Sequence, residues 1–156
     1  MLTTTEPLPQ RPNRHDQPAI TGPVVVGFDG SASAGRALEF VAAAMADSAR
    51  LLVVAIEPHV HSRGLLAEPL LRPRIDAAEL LGVARCRLGS RAERIQVETI
   101  PLAGDPAAML VEVARDARAT FLVVGGRGDD FEARVLLGSV AERVVQDAPC
   151  NVLIVR

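Results

Sequence analysis

The chain has 156 residues, of which 49% are hydrophobic, and a formal net charge of −2 with a sequence pI near 5.9. This length suits one domain with a substantial core, and the acidic balance argues against a dedicated nucleic-acid-binding protein. All 17 basic residues are arginine, and lysine, tryptophan and tyrosine are absent. A Walker-type phosphate loop and Schiff-base catalysis both need a lysine, so both are excluded.

The cysteines and histidines indicate no disulfide framework and no metal site. Cys86 and Cys150 are far apart in the sequence, which favours a reducing compartment. His15, His59 and His61 lack the spacing of zinc ligands. No apolar run reaches the ~18 residues that a membrane span needs. We therefore expect a cytoplasmic protein without a membrane partner.

The chain opens with a proline-rich stretch that precedes a strand, a turn and a helix. Residues 1–22 have no periodicity and are predicted to be a flexible tail, so the domain is predicted over 23–156. The apolar, β-branched run 23–28 predicts a strand buried on both faces. Residues 29–33 combine turn and helix-capping chemistry. Apolar residues then recur on one helical face: Leu38, Val41, Ala42, Met45, Ala46 and Ala49.

The middle of the chain predicts two further strands with a long helix between them. Residues 51–56 form a second buried apolar run, which Pro58 is expected to end. Residues 57–67 read as a loop, and 68–92 as a long amphipathic helix whose many arginines form a solvated face. The alternating, β-branched pattern of 95–100 predicts the third strand.

The last third of the chain repeats the alternation of helix and strand. Asp105 is predicted to cap a helix whose first turn contains Pro106. Residues 120–124 predict a fourth buried strand, and 139–147 a helix with valines at helical spacing. The apolar run 151–155 predicts the fifth strand and an exposed sheet edge.

This alternation predicts an α/β fold, a three-layer sandwich with a mainly parallel sheet and helices on both faces. In such sheets, ligands bind beyond the carboxyl ends of the strands, where the strand order reverses. The loops that follow the first and fourth strands, 29–33 and 125–139, are therefore the candidates for a binding site.

The second of these loops carries a glycine motif, Gly125-x2-Gly128-x9-Gly138-Ser139. Glycines allow backbone N–H groups to approach an anion closely, and a helix N-terminus favours phosphate. The motif therefore indicates phosphate binding. A structural alternative remains, because Ser139-x-x-Glu142 is a capping box and the first two glycines can simply build a turn.

Together with the opening run 24–31, the stretches 137–144 and 148–155 resemble the universal stress protein family, in its ATP-binding branch. The resemblance covers 23–156. It implies a five-stranded, Rossmann-like nucleotide-binding fold with strand order 3-2-1-4-5, ATP as the ligand and a homodimer through the edge strand 151–155.

The resemblance also implies roles for single residues at the nucleoside end of the site. Asp29 would contact the ribose or the adenine, with Gly30 and Ser31 beside it. Ile56 and Val124 would line the adenine pocket. For Asp29, an Asx-turn or a helix cap is the structural alternative.

At the phosphate end, the resemblance implies six residues: Gly125, Arg127, Gly128, Gly138, Ser139 and Val140. The chain departs from the family pattern just after the second glycine, where it carries Asp129, Asp130 and Glu132. These carboxylates would repel a triphosphate, unless they point to solvent or hold Mg²⁺. Asp129 and Asp130 are therefore the candidate magnesium ligands.

These features favour a nucleotide-binding regulatory module of the stress response over an enzyme. ATP hydrolysis needs a positioned base for water, and no histidine lies near the two loops. We expect no catalytic residue. The alternatives are a slow ATPase or autokinase, and an interaction protein of the same fold that binds cyclic AMP or no nucleotide.

Overall fold

One parallel sheet runs through the structure, a computed structural model that describes residues 19–58, 76–126 and 137–156. Its strands are ordered β3-β2-β1-β4-β5, and every neighbouring pair is parallel. This confirms the expected fold class and strand order. The strands are β1 (Val24–Gly27), β2 (Arg50–Pro58), β3 (Gln96–Gly104), β4 (Phe121–Gly125) and β5 (Asn151–Val155).

Helices connect these strands: α1 (Ala32–Ala44), α2 (Ala77–Leu88), α3 (Arg91–Arg94), α4 (Pro106–Asp116) and α5 (Ser139–Asp147). Ser31 caps α1, because its Oγ accepts a hydrogen bond from the Ala34 N–H at 3.2 Å. Asp105 caps α4 in the same way, with Pro106 as the first helical residue. The predicted cap of this helix is thus confirmed.

The core consists of two apolar layers, one on each face of the sheet. On one face, Val24 and Val26 of β1 pack with α1 and α2. On the other face, Val25 and Val54 pack with α4 and α5. Successive side chains of a strand point to opposite faces, so a central strand covered on both sides is apolar throughout. This explains the continuous apolar runs of β1 and β2.

The long helix predicted over 68–92 is shorter than expected. In its described part, α2 ends at Leu88, and a separate short helix, α3, follows. Gly89 ends α2 because it adopts a left-handed φ of 50°, which glycine allows without steric cost. Residues 68–75 of the prediction lie outside the described residues, as does most of the loop predicted over 57–67.

Strands β2 and β3 are longer than predicted, since they pair with each other up to Pro58 and Gly104. The sequence predicts that β2 stops at Glu57-Pro58, because the residue before a proline is conformationally restricted. The last register pair of β1 with β2 is Gly27 with Val54. Beyond it, β2 is paired only with β3, and a strand with one neighbour tolerates a proline.

The N-terminal end of the described chain is attached to the domain by a short bridge. The Ile20 N–H donates to the Ala44 carbonyl at 3.0 Å, and the Ala46 N–H donates to the Ile20 carbonyl at 2.9 Å. Ile20 falls within the predicted tail 1–22, of which 1–18 lie outside the described residues. Across the described ranges, no helix is long and apolar enough to cross a membrane.

Candidate functional site

A cavity of about 460 Å³ opens at the carboxyl ends of β1 and β4. These neighbouring strands are where the strand order reverses, because the chain runs from β1 outward to β3 and returns to β4 on the other side. Its position therefore matches the one expected for a ligand site in an open α/β sheet. Strands β1, β2 and β4 contribute Gly27, Val54, Ile56, Val124 and Gly125 to its lining, and the segment after β1 contributes Phe28 and Asp29. Helices contribute Ala34, Pro106, Leu110, Ser139, Val140 and Ala141, together with the N-cap residue Gly138.

One part of this lining is apolar. Val54, Leu110 and Val124 are buried, and Ile56, two residues before the end of β2, is partly buried. All four side chains are aliphatic and carry no hydrogen-bonding group. Such a surface accepts a flat, weakly polar ring.

The polar part of the lining is the N-terminus of α5. Gly138 is the N-cap residue, and its carbonyl accepts a hydrogen bond from the Glu142 N–H at 3.0 Å. Among the described residues, no side chain caps this helix, and its first N–H groups, those of 139–141, have no hydrogen-bond acceptor there. Uncapped N–H groups together with the positive end of the helix dipole favour an anion.

Ser139 lies beside these N–H groups, but it does not form the capping box that its spacing to Glu142 allowed. It is the first residue of α5 rather than its N-cap. Because the hydroxyl is not used to cap the helix, it remains a hydrogen-bonding group in the cavity lining.

The turn after β1 contributes Asp29 to the cavity lining, but not Gly30 or Ser31. Asp29 Oδ1 accepts a hydrogen bond from the Ser31 N–H at 2.9 Å, which is the Asx-turn considered as the structural alternative. Ser31 is buried as the cap of α1. Gly30 supplies the positive φ of the turn, 84°. Of the three residues expected here, the structure places only Asp29 in the cavity lining.

Gly125 lines the cavity and also brings β4 close to α1. A Cβ atom at this position would lie 2.5 Å from Ser33 Oγ and 2.8 Å from the Ala34 nitrogen. Real Cβ atoms do not approach backbone atoms this closely. The packing of β4 against α1 therefore requires a glycine at this position, whether or not Gly125 contacts a ligand.

Four of the expected site residues, Arg127, Gly128, Asp129 and Asp130, lie outside the described residues. Within the described ranges, no group of three or more His, Cys, Asp or Glu side chains could hold a metal ion.

Helix α4 contributes Pro106 and Leu110 to the lining, although neither was expected from the sequence. Next to Pro106, the Asp105 carboxylate accepts a hydrogen bond from the Ala108 N–H at 2.9 Å and pairs with Arg143 Nη1 at 2.6 Å. These two partners, the N–H first, lower the pKa of Asp105. The capping pattern identifies Asp105 from the sequence, but no sequence signal links it to Arg143.

A comparison with protein families gives a match over residues 21–156 to the model of the Universal stress protein family. Among curated proteins, the chain is 35% identical over 142 residues to the Thermus aquaticus universal stress protein of the QAH/OAS sulfhydrylase 3′ region. The aligned part covers 85% of this chain and 97% of the Thermus protein.

Two solved structures are similar to this fold and contain adenine nucleotides. A universal stress protein in complex with cAMP is 28% identical, with a TM-score of 0.62 and coverage of 87% of this chain and 97% of the other. The universal stress protein from Archaeoglobus fulgidus in complex with dAMP is 26% identical, with a TM-score of 0.59 and coverage of 86% and 98%.

Proposed function

Since the chain belongs to the universal stress protein family, we propose that it is a regulatory module of the stress response that binds ATP in the cavity at the carboxyl ends of β1 and β4. One observation carries the proposal. The same cavity combines an aliphatic surface from β2 and β4 with the uncapped N-terminus of α5. An adenine nucleotide has the matching parts, a flat ring and an anionic phosphate chain.

The positions of the strands suggest how ATP would lie. Ile56 on β2 and Gly125 on β4 are separated by β1, which corresponds to roughly 10 Å across a sheet. The adenine would contact Ile56, and the phosphates would accept hydrogen bonds from the N–H groups of 139–141 and from the Ser139 hydroxyl. Between them, Asp29 has a carboxylate oxygen beyond the one in its turn, which suits a ribose hydroxyl.

The relatives support the class of ligand, since the nucleotides in the two solved structures share adenine. The choice of ATP follows the sequence resemblance to the ATP-binding branch of the family, and the uncapped N-terminus of α5 supports it because this end of a helix favours negative charge. A volume of about 460 Å³ lies within the usual range for small-molecule sites. In a chain without lysine, backbone N–H groups take the place of an ammonium group at this end of the site.

Calorimetry and thermal unfolding with ATP, AMP and cyclic AMP test the proposal, together with mass spectrometry of the natively purified protein. We expect a co-purified adenine nucleotide and the tightest binding for ATP. At 100 times its Kd, ATP would stabilise the fold by about 2.7 kcal/mol.

Tighter binding of cyclic AMP would overturn the choice of ATP. No shift with any of the three at millimolar concentration would indicate a nucleotide-free interaction protein, and phosphate release above background would indicate an ATPase.

A further inference from the structure

An ion pair joins α5 to the start of α4 beside the cavity. Arg143 lies on α5, one turn after Ser139, and its Nη1 is 2.6 Å from Asp105 Oδ2. The other oxygen of the same carboxylate, Oδ1, accepts the Ala108 N–H that caps α4. A single carboxylate therefore holds the first turn of α4 and the middle of α5 together.

The fully buried face of α5 is small. Of its nine residues, only Ala141 and Val144 are buried, and Val145 is exposed. Small apolar contacts of this kind allow a helix to slide, because they are not directional. A charge-assisted hydrogen bond has a defined geometry, so the pair with Asp105 restricts the position of α5 relative to α4.

The same two helices form facing parts of the cavity lining. Pro106 and Leu110 belong to α4, and 139–141 belong to α5. The separation of these helices therefore sets the width of the cavity at the end where the uncapped N–H groups lie.

We propose that Asp105 and Arg143 form a clasp that holds the N-terminus of α5 at the distance from α4 at which its N–H groups reach the phosphates of the nucleotide. This inference rests on the function proposed above. Both are positioning residues, since neither belongs to the cavity lining.

A competing arrangement has Arg143 leaving Asp105 to contact a phosphate directly. The variant Asp105→Asn distinguishes the two arrangements, because asparagine still caps a helix but carries no charge. If the pair is a clasp, this variant loosens α5 and weakens ATP binding. If Arg143 contacts phosphate, the variant releases Arg143, removes a nearby negative charge and strengthens ATP binding.

The experiment compares Arg143→Ala, Arg143→Lys and Asp105→Asn with a matched control, Arg50→Ala. The control removes an ion pair of similar length, 2.7 Å from Arg50 to Glu98, whose side chains are 44% and 51% exposed against 49% for both members of the clasp. Arg50 begins β2, at the opposite end of the sheet from the cavity. Calorimetry gives the Kd for ATP and for adenosine, and hydrogen exchange follows the α5 amides without nucleotide.

We expect Arg143→Ala and Asp105→Asn to weaken ATP binding by about two- to fivefold, the range that a half-exposed ion pair supports. Adenosine binding should be unchanged, and hydrogen exchange in α5 should be faster. Arg143→Lys should retain part of the ATP affinity and part of the protection from exchange that Arg143→Ala loses. The control should match the unmodified protein in each measurement.

Stronger ATP binding by Asp105→Asn would overturn the clasp, as would an Arg143→Ala variant that behaves like Arg50→Ala in both measurements. If the unmodified protein binds no nucleotide, it is the proposed function that fails. The rate of exchange in α5 would then still decide whether the pair holds this helix.

Discussion

Gly125 and Gly138 belong to one sequence motif but have different physical roles in the fold. Gly125 allows β4 to approach α1, since a Cβ atom there would collide with the Ala34 nitrogen. Gly138 has φ −72° and ψ 155°, a conformation open to any residue, and serves as the N-cap of α5. At Gly138, the lack of a side chain therefore matters for the uncapped helix end rather than for the backbone conformation.

The first residue-scale prediction concerns Gly125→Ala. The added methyl group would lie 2.8 Å from a backbone nitrogen, so β4 or α1 must shift, and we expect a loss of about 1–3 kcal/mol of folding free energy. Gly82→Ala is the matched control, because nothing lies within 4 Å of its Cβ position on α2. Helix propensity should make the control neutral or more stable by about 0.5–1 kcal/mol. Equal midpoints of the two variants in urea unfolding would contradict this account.

The second residue-scale prediction is that Gly138→Asp abolishes most ATP binding without unfolding the protein. Aspartate is a favourable N-cap residue, so its carboxylate would accept the N–H groups that we assign to phosphate and would also repel it. We expect at least about a tenfold loss of affinity, with a melting temperature at or above that of the unmodified protein. Gly138→Asn, which caps without charge, should lose less. Unchanged affinity in the aspartate variant would show that the site is elsewhere.

At the scale of single elements, the cap of α4 makes the stability of the protein depend on pH. The Ala108 N–H and the Arg143 guanidinium lower the pKa of Asp105 below its ordinary value of 3.8. The ionised form is therefore favoured in the folded state. Its contribution is present above the unfolded-state pKa, and it is lost as the pH falls through the lower folded-state pKa.

We therefore predict that the difference in stability between the unmodified protein and Asp105→Asn grows from pH 3 to pH 7. Asp105→Ala, which also loses the cap, should be the least stable of the three, about 1 kcal/mol below Asp105→Asn at neutral pH. Urea unfolding across this range measures all three proteins. The explanation fails if the asparagine variant loses stability in acid as steeply as the unmodified protein.

At the scale of the whole molecule, the two edges of the sheet differ in chemistry. The exposed positions of β3 carry Gln96, Glu98, Pro101 and Ala103, and the first three of these discourage pairing with another strand. The edge strand β5 instead presents four half-buried apolar residues, 152–155. An unpaired apolar edge is a surface on which a second copy can dock. We therefore propose that the protein is a homodimer through β5.

The dimer is tested with two half-buried valines on opposite edges. A lysine at an edge opposes strand pairing, so Val152→Lys on β5 should give a monomeric mass in light scattering at micromolar concentration. Val97→Lys on β3 should stay dimeric. A monomeric unmodified protein, or dimers in both variants, would contradict pairing through β5.

Features that depend on local chemistry can be predicted from the sequence. Short apolar runs, with one alternating run at 95–100, distinguish the strands from the helices with their period of 3.6 residues. The ends predicted for the helix 139–147 and the strand 151–155 match α5 and β5. The cap at Asp105 was predicted because capping involves only the next few residues. The carboxyl ends of parallel strands meet at one edge of the sheet, so residues that follow different strands can be expected at one site. Seven of the expected site residues line the cavity: Asp29, Ile56, Val124, Gly125, Gly138, Ser139 and Val140.

Features that depend on contacts between distant parts of the chain become visible only in the folded protein. Pairing with β3 extends β2 to Pro58, and the approach of α1 to β4 gives Gly125 its packing role. The same is true of the pair between Asp105 and Arg143, which are 38 residues apart. No local pattern encodes such contacts, because their energy depends on the distances between packed elements, and these distances exist only once the sheet and its helices have assembled.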